Sequence, residues 1–406
     1  MYLQRHIEAK VRNISETFPV LLLTGPRQVG KTTLLKHLAE PGRTYVTLDD
    51  PEARRLAVES PALFLQRYKP PVLIDEIQYA PGLFPYIKMD VDDDRVNGRF
   101  WITGSQVFRL MKNVGESLAG RVGIVSLLGL SQAELDGAPA GPPFQVDPDV
   151  FGERLRIHPA YTLSEAYARI FRGSMPSMCF QKGIDRESFY SSYVQTYVER
   201  DVREIVNIGD ALEFHRFLGS VAARTAQELN YDDISKDLGI SSVTVKKWIS
   251  VLVTSGLVYL VQPYFSNLHK RLIKRPKLYF TDTGLCAYLT RWTSPETLEG
   301  GAMSGALFET HVVVEILKSF YNAGREPDIC YFRVREKREI DVLLFHDDKV
   351  VPIEIKKSAG PHRSDVRSFD LLDGTPFKVA PGGIVCLCRD TLPIDEHNWL
   401  IPVSVI

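Results

Sequence analysis

The chain has 406 residues, a net charge of −1, and 44% hydrophobic and 24% charged residues. That length exceeds what one hydrophobic core supports, so about two to four domains are expected. The near-neutral charge excludes a global pull toward nucleic acid and leaves such binding to local patches. No stretch approaches the run of about 18 apolar residues that spans a membrane. The start, Met1-Tyr2-Leu3-Gln4-Arg5-His6, lacks the apolar core of a signal peptide. Five scattered cysteines without a CxxC pair argue against a disulfide framework or a structural zinc site. A cytoplasmic protein with no membrane partner is expected.

The apolar run Val20 to Leu23 predicts a strand. It is followed by Gly25-Pro26-Arg27-Gln28-Val29-Gly30-Lys31-Thr32, which is G-x-x-x-x-G-K-T between a strand and a helix. Glycines at both ends let successive N–H groups curl around phosphates, and the helix opening at Lys31 adds its positive end. Lys31 can reach the β- and γ-phosphates, and the Thr32 hydroxyl can ligate Mg²⁺. The motif implies binding of a nucleoside triphosphate.

Helices are expected over Thr32 to Leu38 and Leu56 to Tyr68, and a strand over Tyr45 to Asp49, with Asp49 and Asp50 at its end. Pro71 to Glu76 reads as a buried strand ending in two carboxylates. Asp75 can hold Mg²⁺ through its water shell, and Glu76 can polarise the attacking water. Phe100 to Ser105 is a further strand, whose Thr103 or Ser105 either touches the γ-phosphate or simply ends the strand in a turn. Strands alternating with helices give a βαβ arrangement with the ligand at the strand carboxyl ends.

The order GPRQVGKTT, LIDEIQ, FWITGS and SLAGRV resembles a prokaryotic family of AAA+ ATPases. In that family an N-terminal ATPase is fused to a restriction-endonuclease-like C-terminal domain of unknown function, and the resemblance covers most of the chain. It implies ATP and Mg²⁺ as cofactors, Gly25 to Thr33 as the Walker A loop, and Asp75 and Glu76 as the Walker B pair. Ser105 becomes a sensor-like position. Arg121 matches a recurrent arginine, which either stabilises the charge of phosphoryl transfer or makes a structural salt bridge. If an arginine acts from a neighbouring subunit, a homo-oligomer is required; Arg121 and Arg200 can equally act within one chain.

Gly137 to Pro148 reads as a loop, and the region to about residue 210 as helical and mixed. Its run Tyr193 to Arg203 carries Glu199, Arg200, Asp201 and Arg203, either a lid sensor or a solvated ion-paired helix face. A helix is expected over Phe214 to Leu229. Asp232 to Trp248 then reads as helix, tight turn at Gly239, and second helix capped by Ser241 or Ser242. Strands over Leu257 to Val261 and Leu278 to Phe280 complete the pattern of a winged helix-turn-helix. Lys246 and Lys247 lie where such folds read bases, and His269 to Lys277 carries five Lys/Arg and no acid. These are either DNA contacts or solvated basic runs.

Gly305 to Tyr321 reads as an amphipathic helix with Glu309 on the face of Val312, Val313 and Ile316, where a carboxylate needs a partner. Strands follow over Glu339 to Phe345, with Asp341 embedded, and Val350 to Lys356, with Glu354 and Lys356 on one face. An Asp on one strand and Glu-x-Lys on its hairpin partner is the arrangement of the restriction-endonuclease-like fold, here without a preceding Pro. Asp341 and Glu354 would ligate Mg²⁺ or Mn²⁺, Lys356 would position the attacking water, and Glu309 would complete the shell. The alternative is a buried ion-pair cluster in a domain that has lost its chemistry.

The fold class expected is therefore multidomain α/β. Residues 1–150 form an AAA+ P-loop core, 151–210 a helical lid or linker, 211–290 a winged helix, and 291–406 a PD-(D/E)xK-like domain. The expected function is ATP hydrolysis coupled to a metal-dependent DNA nuclease; the alternative is an ATP-gated switch that binds DNA or protein through an inactive nuclease-like domain.

Overall fold

The computed structural model describes residues 2–104, 117–198, 211–264, 275–333, 338–346, 348–373 and 375–406. The chain divides into two compact units. The first comprises Met1–Gly129, Thr254–Gly256 and Tyr321–Gly324; the second comprises Leu130–Val253, Leu257–Phe320 and Arg325–Ile406. The division at Gly129 falls earlier than the expected boundary at residue 150, and the expected boundaries at 210 and 290 lie inside the second unit.

In the first unit, strands β1 (Val20–Thr24), β2 (Thr44–Thr47), β3 (Val72–Asp75), β4 (Phe100–Thr103) and β5 (Val122–Ser126) form a parallel sheet in the order β2-β3-β4-β1-β5. Strand alternation splits their apolar residues between two faces. Leu22, Ile74 and Ile102 pack with residues of α3 (Pro51–Glu59), α4 (Pro61–Arg67) and α5 (Leu83–Asp93), among them Ala53, Phe64 and Phe84. Leu21, Leu23, Leu73 and Trp101 pack with Val11 of α1 (Glu8–Thr17) and with Leu34 and Leu35 of α2 (Lys31–Leu38). Each fully buried Leu or Ile contributes about 2 kcal/mol, so the two-sided burial holds the strand ends in place. The single helix expected over Leu56 to Tyr68 is two. Pro61 lacks an N–H and forces Ser60 out of helical geometry (φ −145°, ψ 71°), so the chain breaks there.

The second unit contains helix Ala211–Ala222, strand β6 (Gln227–Glu228), helix Tyr231–Leu238, helix Ser242–Thr254, and strands β7 (Val258–Pro263) and β8 (Lys277–Phe280). The helix expected over Phe214 to Leu229 ends at Ala222, and its tail becomes β6, paired antiparallel with β8. Gly239 closes helix Tyr231–Leu238 with a left-handed φ of 72° that a glycine adopts without steric cost. Trp248 is buried with Phe214 and Phe217, whose ring centroids lie 5.3 and 5.0 Å away.

β7 also pairs in parallel with β9 (Ile329–Arg333), through Gln262 with Cys330 and Pro263 with Tyr331. The β6-β8-β7 ribbon therefore continues into one ten-stranded sheet. Beyond β9 come β10 (Glu339–His346), β11 (Lys349–Ile355), β13 (Gly382–Cys386), β15 (Asn398–Pro402) and β14 (Leu392–Pro393), with β12 (Lys378–Val379) paired to β11. β10 and β11 form the expected hairpin, and β13 joins β11 in parallel. A register shift between Ile340 and Leu343 interrupts β10 in the stretch that contains Asp341, the kind of irregularity that re-aims a side chain. Helix Ser304–Asn322 is buried over most of its length.

Candidate functional site

The loop after β1 turns because its backbone must. Gly25 has φ +136°, and a Cβ there would stand 2.0 Å from the Leu127 carbonyl oxygen. Gln28 is left-handed at φ 63°, and Gly30 caps α2 from the left-handed region at φ 94°. These angles curl the segment from Gly25 to Thr33 over the N-terminus of α2, the geometry of an anion cradle. Lys31 is buried, and its Nζ donates to the carbonyls of Gly25 (2.9 Å) and Pro26 (2.7 Å).

β3, β4 and β1 run parallel side by side, so their carboxyl ends lie at one edge of the sheet. The Thr32 hydroxyl lies 3.0 Å from both carboxylate oxygens of Asp75. Asp75 also accepts from the Thr103 hydroxyl and from Tyr45 Oη at 3.1 Å. Thr103 in turn accepts from the Glu76 backbone N–H at 3.4 Å. Glu76 itself is left-handed (φ 57°, ψ 45°), a conformation that costs a non-glycine residue of order 1 kcal/mol and recurs at functional sites. Its carboxylate accepts from the Gln78 side-chain amide. Burial, then the charges of Glu76 and Asp75, raise the Asp49 carboxyl above its usual range. Burial and Asp75 push Tyr45 up to about 12. The strand ends thus gather negative charge opposite a phosphate cradle, a setting that suits a bound cation.

Three participants escaped sequence reasoning: Tyr45, Gln78 and Arg5. Arg5 is buried, and its guanidinium donates to the carbonyls of Val29 (3.0 Å), Leu128 (3.0 Å) and Gly129 (3.3 Å), so it braces the loop from outside the motif. Nothing in the sequence spacing ties Arg5 to residues 123 positions away; the alternation of β2 next to the aspartate strand is the one signal that could have found Tyr45.

Arg121 is not brought to this site. It precedes β5, where its carbonyl accepts from Val20 N at 3.2 Å, so it lies at the start of β1 while the loop lies at its end. Five residues of β1, about 16 Å at 3.3 Å each, separate the two. Its guanidinium instead pairs with Asp92 at 2.6 and 3.0 Å and donates to the Ala119 carbonyl. The structural salt bridge is the reading that geometry supports. Ser105, Glu199, Arg200, Asp201 and Arg203 lie outside the described residues.

The second expected site has a different filling. Asp341 and Glu354 are buried on adjacent strands, and Lys356 Nζ lies 2.6 Å from Glu354 Oε1. Asp341 Oδ2 accepts from the Ile355 N–H at 2.9 Å. Glu309 finds its partner: Lys277 Nζ at 3.0 Å, with Tyr279 Oη at 2.8 Å on the same oxygen. Lys277 Nζ also pairs with Glu339 and lies 3.6 Å from Asp341 Oδ1. Lys277, expected on a basic DNA-binding wing, is therefore buried among carboxylates; residues 265–274 before it lie outside the described residues. Burial opposes its charge, but Tyr279, Glu309, Asp341 and Glu339 outweigh that and hold its pKa well above the usual lysine value. Burial, followed by the Asp341 charge, raises Glu309 to about 7 and Glu354 to about 8. Among the described residues no group of three His, Cys, Asp or Glu is arranged to hold a metal ion. Of the expected ligand set, Glu309 Oε1, Asp341 Oδ2 and Glu354 Oε1 are engaged by lysines, a tyrosine and a backbone N–H.

Lys246 and Lys247 are exposed on helix Ser242–Thr254. Lys246 and Arg275 line a recess of about 230 Å³ with Asn230, Tyr231, Ser242 and Val243. No helix among the described residues is long and apolar enough to cross a membrane.

Residues 17–136 match the family model described as AAA domain. Residues 164–296 match the Domain of unknown function (DUF8612), and residues 304–406 the Domain of unknown function (DUF4143). The chain is 28% identical over 407 aligned residues to the uncharacterized proteins Mb2031c of Mycobacterium bovis and Rv2008c of Mycobacterium tuberculosis, covering 99% of this chain and 84% of each relative. Among solved structures, the Walker-type ATPase paby2304 of Pyrococcus abyssi matches with 15% identity and TM-score 0.43, over 71% of this chain and 96% of its own. The ORC2 protein of Aeropyrum pernix in its ADP form matches with 14% identity and TM-score 0.30, over 64% and 87%. The parallel sheet and the loop make the N-terminal domain P-loop ATPase-like within a multidomain α/β chain, over the same residues that match the AAA model.

Proposed function

We propose that this AAA-type domain binds ATP with Mg²⁺ and hydrolyses it. The observation that carries the reading is the Thr32 hydroxyl set 3.0 Å from both oxygens of Asp75, beside a loop already curled by Gly25 and Gly30. Backbone N–H groups from Arg27 to Thr33 would hold the phosphates, and Lys31 would exchange carbonyl partners for phosphate oxygens. Mg²⁺, held by Thr32 and through water by Asp75, would neutralise charge on the phosphates. Glu76, aimed by Gln78 and by its own left-handed backbone, would take the proton of the attacking water. Tyr45 and Thr103 keep Asp75 oriented. Arg121 is not assigned to the phosphates; an arginine acting there would be Arg200 or Arg203 of the same chain or one from another copy in a homo-oligomer.

The test is phosphate release with and without Mg²⁺. Glu76→Gln should keep ATP binding while losing turnover by about 100-fold or more. Unchanged release in that variant would remove Glu76 from the reaction.

For the second unit, the order helix, short strand, helix, turn, helix and two antiparallel strands supports a winged helix-turn-helix, with exposed Lys246 and Lys247 facing a DNA backbone. Helix Ser304–Asn322 with β9, β10, β11 and β13 supports a restriction-endonuclease-like domain. The engaged carboxylates favour the second function reading: an ATP-gated switch, cytoplasmic, whose C-terminal domain binds DNA or protein and leaves it uncut. Incubating plasmid DNA with the protein, ATP and Mg²⁺ or Mn²⁺ tests it. Cutting that Asp341→Ala abolishes would restore the nuclease.

A further inference from the structure

The carboxylate cluster on β10 and β11 carries its own cation. We infer that the ammonium of Lys277 occupies the place a divalent metal would take, so that the cluster is a latent cation site closed by a residue of the neighbouring β-ribbon. The inference is independent of the phosphate loop; it rests on the reading that the C-terminal domain leaves DNA uncut.

The case is built from oxygens. Glu309 Oε1 is shared by Lys277 Nζ at 3.0 Å and Tyr279 Oη at 2.8 Å. Glu339 pairs with the same ammonium, and Asp341 Oδ1 lies 3.6 Å from it while Oδ2 is held by the Ile355 N–H. One ammonium thus meets carboxylates from a helix and from β10, as a hard cation would. Glu354 Oε1 is taken by Lys356, and its buried Oε2 has no hydrogen-bond partner. That buried oxygen is a ligand position left open among the described residues, and it marks where an added cation would bind once Lys277 is gone.

Lys277 is also held in place by its backbone. β8 is paired on both sides, Lys277 lying opposite Glu228 of β6 and Val261 of β7. Its Nζ lies 5.6 Å from the centre of the Tyr331 ring on β9. The side chain is 5% exposed. An ammonium placed so firmly is not a mobile counter-ion that Mg²⁺ displaces by mass action. Removing it leaves several carboxylates buried against each other, a cost that a replacement cation, or protonation of a carboxyl, must offset.

The experiment uses the full chain in an Asp75→Asn background without nucleotide, so that the phosphate loop contributes no metal. Mn²⁺ binding is read by electron paramagnetic resonance and by the shift in thermal midpoint. The parent should gain no ion at the cluster, and its Mn²⁺ signal should match that of the same protein carrying Asp341→Asn and Glu354→Gln. Lys277→Met should melt lower and recover on adding Mn²⁺, with one ion bound per chain; adding Asp341→Asn should abolish that recovery. Lys277→Arg, which keeps the charge, should stay indifferent to Mn²⁺. If Lys277→Met is insoluble with and without metal, the comparison between parent and double variant decides alone. An ion bound by the parent and lost in the double variant overturns the inference, as does a Lys277→Met protein that folds normally and ignores Mn²⁺. DNA cutting is scored separately in the chain with Asp75 intact. Cutting would sink the uncut-DNA reading even if the parent took up no Mn²⁺ ion at the cluster.

Discussion

Two strand ends in this molecule present carboxylates beside a lysine, and they do opposite things with them. At the phosphate loop, Lys31 is folded onto carbonyl oxygens of its own loop, Gly25 and Pro26. Those are neutral acceptors, and the dianionic oxygens of a phosphate would outbid them. At the C-terminal cluster, Lys277 is folded onto Glu309 and Glu339. Those are full charges in a buried setting, and nothing in water outbids them. The first lysine is poised for an arriving ligand; the second already has its ligand. The same residue type therefore makes an open site in one place and a closed one in the other, and the difference is the charge of the acceptor.

The sharpest way to break this contrast is to remove each lysine in turn. Lys31→Ala should cut ATP turnover by about 10²–10³-fold with a smaller loss of thermal midpoint than at Lys277, its hydrogen bonds to Gly25 and Pro26 being to neutral carbonyls. Lys277→Met should do the reverse. It should destabilise the second unit by about 3–5 kcal/mol, because it strands buried carboxylates, with phosphate release per folded molecule unaltered. Phosphate release and differential scanning calorimetry on both variants check this together. A Lys277→Met protein as stable as the parent would mean that the cluster does not depend on that charge.

How much of this was legible in the sequence follows from how local each feature is. The phosphate loop is a contiguous segment, and its geometry follows from Gly25, Gly30 and the strand and helix around them, so it read correctly. The hairpin of Asp341 with Glu354 is also local and was found. The partner that decides its chemistry is not local. Lys277 comes from a strand 32 residues before Glu309 and belongs, in sequence, to a basic run that resembles a wing. Only the pairing of β7 with β9, which merges two expected domains into one sheet, brings it there. Periodicity along one segment carries no information about such a pairing. Arg121 was left between two readings for a related reason, because a motif gives spacing along the chain but not which end of a strand faces the ligand.

A buried histidine offers a smaller effect that separates the second unit's general ion pairing from its carboxylate cluster. His311 lies buried inside helix Ser304–Asn322, with Nε2 lacking a hydrogen-bond partner among the described residues. Burial lowers its pKa to about 4; the Glu315 charge opposes that shift, and Lys318 and Arg169 add to it. Between pH 6.5 and 4 the unfolded chain takes up a proton that the folded chain refuses. Stability is therefore intact above pH 6.5 and is lost as pH falls, by about 2 kcal/mol at pH 5 from this group alone. Urea unfolding from pH 7 to 5 should show the loss, and His311→Leu should flatten it. An unchanged slope in the variant would assign the acid sensitivity elsewhere.

Within the phosphate site the contrast can be sharpened at Thr103, which donates to Asp75 and accepts from the Glu76 backbone. Thr103→Val removes one hydrogen bond from each partner, worth about 1 kcal/mol of orientation apiece, so turnover should fall about 30-fold with ATP affinity little changed. Thr103→Ser should retain turnover. A fall in affinity rather than in turnover would move Thr103 from positioning the carboxylates to holding the nucleotide.

The smallest effect expected is at Arg121, and it is informative because it is small. Its guanidinium is paired with Asp92 on the surface, and a pair of that kind is screened by salt and adds little to stability. Placed at the start of β1, it also cannot reach phosphates bound at the end of the same strand. Arg121→Ala should therefore leave the thermal midpoint unchanged and leave turnover unchanged at protein concentrations where the chain is monomeric. If turnover falls only as concentration rises, an Arg121 from another copy serves the site, and the loop is completed by assembly. If it falls at every dilution, the arginine acts within one chain, and the strand that holds it must be reached by a route the parallel sheet does not offer.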